Sequence, residues 1–236
     1  MNELGYIKDG VEFINTTLLD KIDRMTKQYL NFGIGVYSDK LFEELYGRPS
    51  IKPYKERSRL ANSIKGVDFV FEVKEIEGDI QKEPPLYMDD GTPKLFHVAF
   101  APGTYDLLHE GHLEHLLIAR KLSDILVVGV KSDTHVWETK SKKPFQNETT
   151  RMTVIKNLNI VDYVILVPTR DKRWANKTIY EFVGSPIDVV ILGSDCKGQE
   201  HIYNPDNLKF VFTDRNPSIQ KVRSSSFYRE ELKKIT

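Results

Sequence analysis

The sequence predicts an α/β fold: a parallel β-sheet covered by helices on both faces, preceded by a truncated, related α/β half. Three observations carry that prediction. Apolar runs of strand length alternate along the chain with segments whose apolar residues recur at helical spacing. Such alternation gives parallel strands joined by crossover helices. The phrase GVYSDK at residues 35–40 returns as GVKSDT at 129–134, an offset of 94. Held without a gap, that offset lays residues 33–73 over 127–167 with ten identities, among them Ser38/Ser132, Asp39/Asp133, Arg57/Arg151 and Asp68/Asp162. Ten matches in one apolar rhythm mark a duplicated unit.

The elements follow in order. In the first unit, VEFINTTLLDKIDRMTKQYL (11–30) is expected to be a helix, FGIGVYS (32–38) a strand, YKERSRLANSIKGV (54–67) a helix and DFVFEVKEI (68–76) a strand. Residues 1–82 form this shorter half. EPPLYMDDGTPK (83–94), with three prolines, is expected to be a linker. The second unit fills residues 95–236. LFHVAF (95–100) reads as a strand ending in a Pro-Gly turn. HLEHLLIARKL reads as a helix, with Leu113, Leu116, Leu117 and Leu122 at helical spacing. DILVVGV (124–130) is a buried strand and NETTRMTVIKNLNIV a helix. DYVILVP, DVVILGSD (188–195) and LKFVFT (208–213) are further strands. SSSFYREELKK closes the chain as a helix with serines at its N-cap end.

Composition narrows the class. The chain has 236 residues, enough for one or two domains. Apolar residues make up 40% and charged residues 29%, the balance of a globular protein with a real core. Its 34 basic and 34 acidic side chains cancel, leaving no broad field to draw nucleic acid or an anionic membrane. No apolar run approaches the ~20 residues of a membrane helix, and MNELGYIKDG has no apolar signal core. Cys196 is the one cysteine, so there is no intrachain disulfide framework. These features point to a cytoplasmic protein.

GTYDLLHEGHLEHLL (103–117) carries the chemistry. Gly103 follows a strand and precedes a helix. There a missing side chain lets a phosphate approach the backbone, and the helix N-terminus offers free N–H groups. His109 and His112 stand three apart at the start of that helix and so share a face, with Gly111 leaving room between them. Two imidazoles aimed at one spot can donate to a phosphate that gains charge in a transition state. The pair alone also reads as part of a zinc site or as two surface histidines. A zinc site needs further ligands, and His97, His115, His135 and His201 have no persuasive spacing for it.

GTYDLLHEGH resembles the signature of the cytidylyltransferase family, which includes glycerol-3-phosphate, phosphocholine and phosphoethanolamine enzymes; the wider nucleotidyltransferase superfamily shares the His-x-Gly-His. The likeness covers about residues 95–235. It continues in VVGVKSD, in the lysine segment ETKSKKP, in an arginine followed by a helix and VDYVI, and in VVILGSDCKG, and it looks closest to bacterial glycerol-3-phosphate cytidylyltransferases. The resemblance implies a Rossmann-like nucleotidyltransferase domain. It implies that a phosphate oxygen of a small phosphorylated alcohol attacks the α-phosphorus of CTP and expels pyrophosphate, with Mg2+ bridging the CTP phosphates. By the same resemblance His109, His112, Lys140 and Lys142 would be catalytic. Gly103 and Thr104 would lie beside the α-phosphate, Tyr105, Asp106 and Gly111 would also bind the nucleotide, and Gly193 and Asp195 would lie by its base and ribose. Arg223, Ser224, Ser225 and Ser226 would complete the nucleotide site. Asp106 would be structural or would support a metal. Without the family, Lys140, Lys142 and Lys143 read as a solvated charge run. No nucleic-acid or membrane partner is implied, and a homodimer is left open.

The chain also departs from the family. The usual closing Arg-Thr-x-Gly-Ile-Ser-Thr-Ser/Thr is DRNPSIQKVRSSSF here, so either Arg215 or Arg223 takes the arginine's place. Arg-Tyr-Val-Asp becomes NIVD, with Asn159 for the arginine, and the text after the fourth strand becomes SDC. These changes are expected around the acceptor and nucleotide pockets. The alternatives are an adenylyltransferase of the pantetheine-phosphate or archaeal FAD synthase type, a phosphocholine or phosphoethanolamine enzyme, and a non-catalytic nucleotide-binding scaffold. Carried back by 94, His109, Gly111, His112 and Lys140 fall on Asn15, Thr17, Leu18 and Tyr46. The first half is therefore expected to be structural, and the chain to hold one CTP site.

Overall fold

A computed structural model describes residues 2–75, 82–83, 91–203, 208–214 and 224–235. The first sheet holds β1 (Asn2–Asp9), β2 (Tyr29–Tyr37), β3 (Phe69–Val73) and β4 (Lys82–Glu83). The first three are parallel, and β4 pairs antiparallel with β3. Helices α1 (Thr16–Thr26), α2 (Asp39–Tyr46) and α3 (Tyr54–Asn62) connect them. The second sheet holds β5 (Phe96–Gly103), β6 (Ser123–Lys131), β7 (Tyr163–Val167), β8 (Val189–Gly193) and β9 (Lys209–Thr213), all parallel, in the order β7-β6-β5-β8-β9. Its helices are α4 (Glu110–Leu122), α5 (Asp133–Lys140), α6 (Glu148–Lys156), α7 (Trp174–Val183) and α8 (Ser225–Ile235). The chain builds outward from β5 first through β6 and β7, then returns to add β8 and β9 on the other side. That reversal opens a crevice at the C-terminal end of β5, the place where open parallel sheets bind ligands. This is a Rossmann-like α/β fold. Among the described residues no helix is long and apolar enough to cross a membrane.

Some elements differ from the sequence expectation. The long helix expected from residue 11 begins only at Thr16, because Asn15 caps it by accepting a hydrogen bond from Leu18 N at 2.9 Å. The short helices α2 and α5, eight residues each, are too short for an apolar period to stand out in the sequence, and α5 has none. They are started by Ser38 and Ser132, whose hydroxyls accept from Leu41 N and His135 N. Lys140 therefore ends a helix, and the lysine loop starts at Ser141. β1 escapes apolar pattern-reading because it is an edge strand with Leu4 and Tyr6 exposed. Glu83, placed at the start of the linker, belongs to β4; residues 84–90 of that segment lie outside the described residues.

The repeat is visible bond by bond. β1, β2, β3, α2 and α3 have bounds 94 residues before those of β5, β6, β7, α5 and α6. Arg57 is fully buried and donates to Lys52 O (2.9 Å), Gly10 O (2.9 Å) and Asp39 (2.7 Å). Arg151 does the same with Gln146 O (2.9 Å), Thr104 O (2.6 Å) and Asp133 (2.6 Å). Asp68 accepts from Phe32 N and Asp162 from Leu126 N, both at 2.7 Å. The shared letters are thus fold-holding letters.

The halves meet across a pseudo-two-fold axis. Ile64 and Leu158, equivalent positions, form an antiparallel bridge. Lys65 N donates to Asn157 O at 2.7 Å and Asn159 N donates to Ser63 O at 2.8 Å, so exchanging the halves maps one bond onto the other. Helix α3 packs on α4 and α1 on α6. One continuous core lies between the sheets, with Leu18, Ile22, Leu60 and Ile64 from the first half and Leu113, Leu116, Ile155 and Leu158 from the second. This is the isologous contact of a symmetric homodimer, formed within one chain. Asn159, expected beside the pockets, sits on this axis instead, its side chain donating to Asn62 O at 3.2 Å.

Candidate active site

The loop between β5 and α4 sets the site. Tyr105 and Leu107 both take left-handed backbone (φ 54° and 49°), uncommon for residues with side chains and found where surrounding structure holds them. Arg151 clamps the loop at Thr104 O, and Leu107 N donates to Gln146 Oε1 at 3.2 Å. Tyr105 folds back under Gly103, its hydroxyl donating to Ala101 O at 3.0 Å. A side chain at Gly103 would put its Cβ 2.7 Å from the Tyr105 ring, so this glycine is fixed by packing as well as by any ligand.

His109 is the N-cap of α4 and His112 lies in its first turn. Their rings stack with centroids 3.8 Å apart and planes 24° apart; His109 is buried and His112 half-buried. Both line a cavity of about 250 Å3 at the C-terminal ends of β5, β6 and β8. Gly103, Thr104, Tyr105, Asp106, Gly111, Lys140, Lys142, Gly193, Asp195, Ser224, Ser225 and Ser226 line it too. Lys140 Nζ lies 3.5 Å from Thr104 Oγ1, and Lys140 and Lys142 are both exposed. Arg223 and Arg215, the two candidates for the family arginine, lie outside the described residues.

Asp106 is a tether. Its carboxylate accepts from Phe145 N and Gln146 N, each at 2.9 Å, and from Arg229, while its carbonyl accepts from Ser225 Oγ at 2.8 Å. Arg229 also donates to Lys143 O at 3.0 Å. The acid therefore ties the lysine loop and α8 to the histidine loop. These bonds give Asp106 a structural part. Among the described residues no three His, Cys, Asp or Glu side chains gather to hold a metal ion.

Two lysine or arginine residues of the cavity lining were not read from sequence as site residues. Arg229 is one; in YREELKK it looks like an ordinary charged helix face. Lys131, the last residue of β6, is the other. Burial, and then the nearby charge of Lys140, lowers its ammonium below the usual lysine range. Among the described residues it makes no hydrogen bond or ion pair. Its signal was a lysine ending a buried apolar run, where the first half has Tyr37. Beside it, Lys172 is lowered to about 7 by burial and by Lys131. The cavity thus joins a histidine pair, helix N-termini and a basic wall, a combination suited to a polyphosphate.

Part of the chain resembles known proteins. The model of the family described as "Cytidylyltransferase-like" matches residues 100–216. A "Bifunctional protein HldE" from Campylobacter concisus is 34% identical over 159 residues, 67% of this chain and 31% of the relative. One from Citrifermentans bemidjiense is 46% identical over 99 residues, 42% of this chain and 19% of the relative. The chain thus spans about a third or less of the curated relatives it matches. Among solved structures, the lipopolysaccharide core biosynthesis protein from Thermoplasma volcanium GSS1 is 28% identical, with a TM-score of 0.40, covering 51% of this chain and 96% of its own. The matched segment holds β6 to β9, the end of β5, both histidines and the lysine loop: residues 100–216 belong to the cytidylyltransferase-like family, within the nucleotidyltransferase superfamily.

Proposed function

We propose that the chain transfers a nucleoside monophosphate from a nucleoside triphosphate to a small phosphate monoester, with ATP ahead of CTP as donor. The observation that carries this is the stacked His109–His112 pair at the N-terminus of α4, facing a basic wall across one cavity. Likeness to the HldE proteins favours adenylyl transfer over the cytidylyl transfer and glycerol-3-phosphate acceptor suggested by the sequence wording.

An acceptor phosphate oxygen forms the new bond to the α-phosphorus, the bond to the bridging β-phosphate oxygen breaks, and pyrophosphate leaves with that electron pair. A phosphate monoester is largely dianionic at neutral pH, so no strong base is needed. His109 and His112 donate hydrogen bonds to the α-phosphate oxygens as charge builds there, and Lys131, Lys140 and Lys142 hold the remaining phosphate charge. Mg2+ would travel with the triphosphate, since Asp106 is committed to its tethering bonds.

A thermal-shift screen of ATP, CTP, GTP and UTP with Mg2+ tests the donor. ATP should give the largest shift; a shift with CTP alone would return the reading to cytidylyl transfer, and none with any of the four would refute nucleotide transfer. Pyrophosphate release over phosphorylated sugars, polyols, choline phosphate and ethanolamine phosphate then finds the acceptor. Lys140→Ala with Lys142→Ala should raise KM or lower kcat by about tenfold or more; both parameters within twofold would make the loop a solvated charge run.

A further inference from the structure

We propose that the first half holds His109 in its working position through a buried cluster built on Lys52 and Glu56, which act as positioning residues. Both are fully buried, 3.5 Å apart. An ion pair so placed is costly unless its remaining hydrogen-bonding capacity is met. The second half, together with Phe13 of the first, meets it. Lys52 Nζ donates to Leu108 O at 2.8 Å and sits 4.4 Å and 4.5 Å from the ring centres of Phe13 and Tyr228. Glu56 Oε1 accepts from Glu110 N at 3.2 Å, and the Tyr228 hydroxyl reaches both Glu56 oxygens, at 2.9 and 2.7 Å. Leu108 and Glu110 are the residues on either side of His109, and the Tyr228 ring centre is 5.9 Å from that of His109. Arg59 of the first half pairs with the Glu110 carboxylate. The first half thus grips the backbone on both flanks of one histidine.

The pseudo-symmetry says what this grip is for. The positions equivalent to Lys52, Glu56 and Arg59 are Gln146, Thr150 and Thr153, and those equivalent to Leu108 and Glu110 are Ile14 and Thr16. None of these is charged, and α8, which brings Tyr228, has no first-half counterpart. The backbone bonds and the core that join the halves occur on both sides of the axis. The ionic cluster occurs only on the side that carries the histidine pair. Docking alone does not need it there; holding the histidine loop does.

Only its consequence for nucleotide binding rests on the transferase reading. The geometry is tested without ligand, by imidazole 15N NMR of the full chain. The variants are Tyr228→Phe, which keeps the ring and removes one hydroxyl, and Glu56→Gln. The expected result is that the titration midpoint of His109 moves by about half a pH unit or more in folded variants, while those of exposed His97 and His201 stay fixed. An unchanged His109 midpoint in folded Tyr228→Phe would overturn the proposal, and this variant decides alone if Glu56→Gln does not fold. A cluster that served only stability would lower the melting temperature and leave His109 where it was. ATP binding is measured in parallel, and about tenfold weaker affinity in the variants is expected. Wild-type protein that binds neither ATP nor CTP would refute the proposed function, and the histidine titration would still judge the cluster.

Discussion

The loops that lead into α1 and α4 are built to one plan and used for different ends. Both leave a parallel strand, both turn through a left-handed residue at the same place (Val11 and Tyr105, φ 47° and 54°), and both are clamped by a buried arginine. Yet the first puts Asn15 at the helix N-cap and sends Leu18 into the shared core, whereas the second puts His109 at the cap and His112 against a cavity. The second also takes another left-handed residue, Leu107, where the first has none. Clamp, turn and apolar helix face are what the fold requires, and they persist in both. On the proposed function, the residues that differ are those that would face the nucleotide, at some expense to local stability.

Breaking the comparison at the histidines should have the largest effect. His112→Ala or His109→Ala should lower kcat by a hundredfold or more, since one donor to a developing oxyanion is worth ~2.7–4 kcal/mol. Leu18→Ala, at the position equivalent to His112, should cost stability and leave kcat within about twofold at a temperature where the protein is folded. Calorimetric titration with ATP should find one site per chain. A stoichiometry of two, or a site surviving the double histidine variant, would show that the first loop binds nucleotide as well.

At the arginines the halves should behave alike. Arg57→Met and Arg151→Met each remove donors from two backbone carbonyls, and each should cost about 3 kcal/mol in urea unfolding. A cost for Arg57→Met below about 1 kcal/mol would show that the first loop does not need its clamp.

A smaller difference is chemical. His135 occupies the place of Leu41; both are buried, and His135 Nδ1 lies 3.2 Å from Val167 O. Burial, reinforced by the charge of Lys172, lowers the His135 ring from 6.5 to about 4. The folded state therefore binds fewer protons than the unfolded chain between those values, so stability is present above 6.5 and is lost as pH falls toward 4. The expected loss between pH 7 and pH 5 is about 2 kcal/mol. His135→Leu should flatten that part of the pH–stability curve. An equally steep curve in the variant would place the titrating group elsewhere.

Much of this arrangement was legible in the sequence because it is local. The histidine pair and the strand–glycine–helix join live within short windows, and the 94-residue echo is read by laying one ungapped stretch over another. The first-half strand β1 was not, because an edge strand with Gly5 and exposed Tyr6 has no apolar alternation to read. Nor were Arg229, whose partner Asp106 is 123 residues away, or Lys52 and Glu56, which look like solvated residues before and within a helix until α4 and α8 close over them. Charged residues announce a surface to composition-based reasoning, and only long-range packing can reverse that.

The finest test exchanges the two caps. Asn15 satisfies one of the free N–H groups of α1 through its side chain, whereas His109 makes no side-chain cap bond to α4. An asparagine at an N-cap is worth ~1 kcal/mol over a residue that does not cap. His109→Asn should therefore hold or slightly raise the melting temperature while abolishing turnover, because an asparagine occupied by the Gly111 or His112 N–H group no longer presents an imidazole to the phosphate. Asn15→His should lower stability by about 1 kcal/mol and leave turnover untouched. The pair of results would separate what the second loop surrenders in capping from what it gains in chemistry. If His109→Asn instead destabilises by more than about 1 kcal/mol, the buried imidazole is itself part of the packing between α4 and Tyr228, and the cost of the histidine has been overstated.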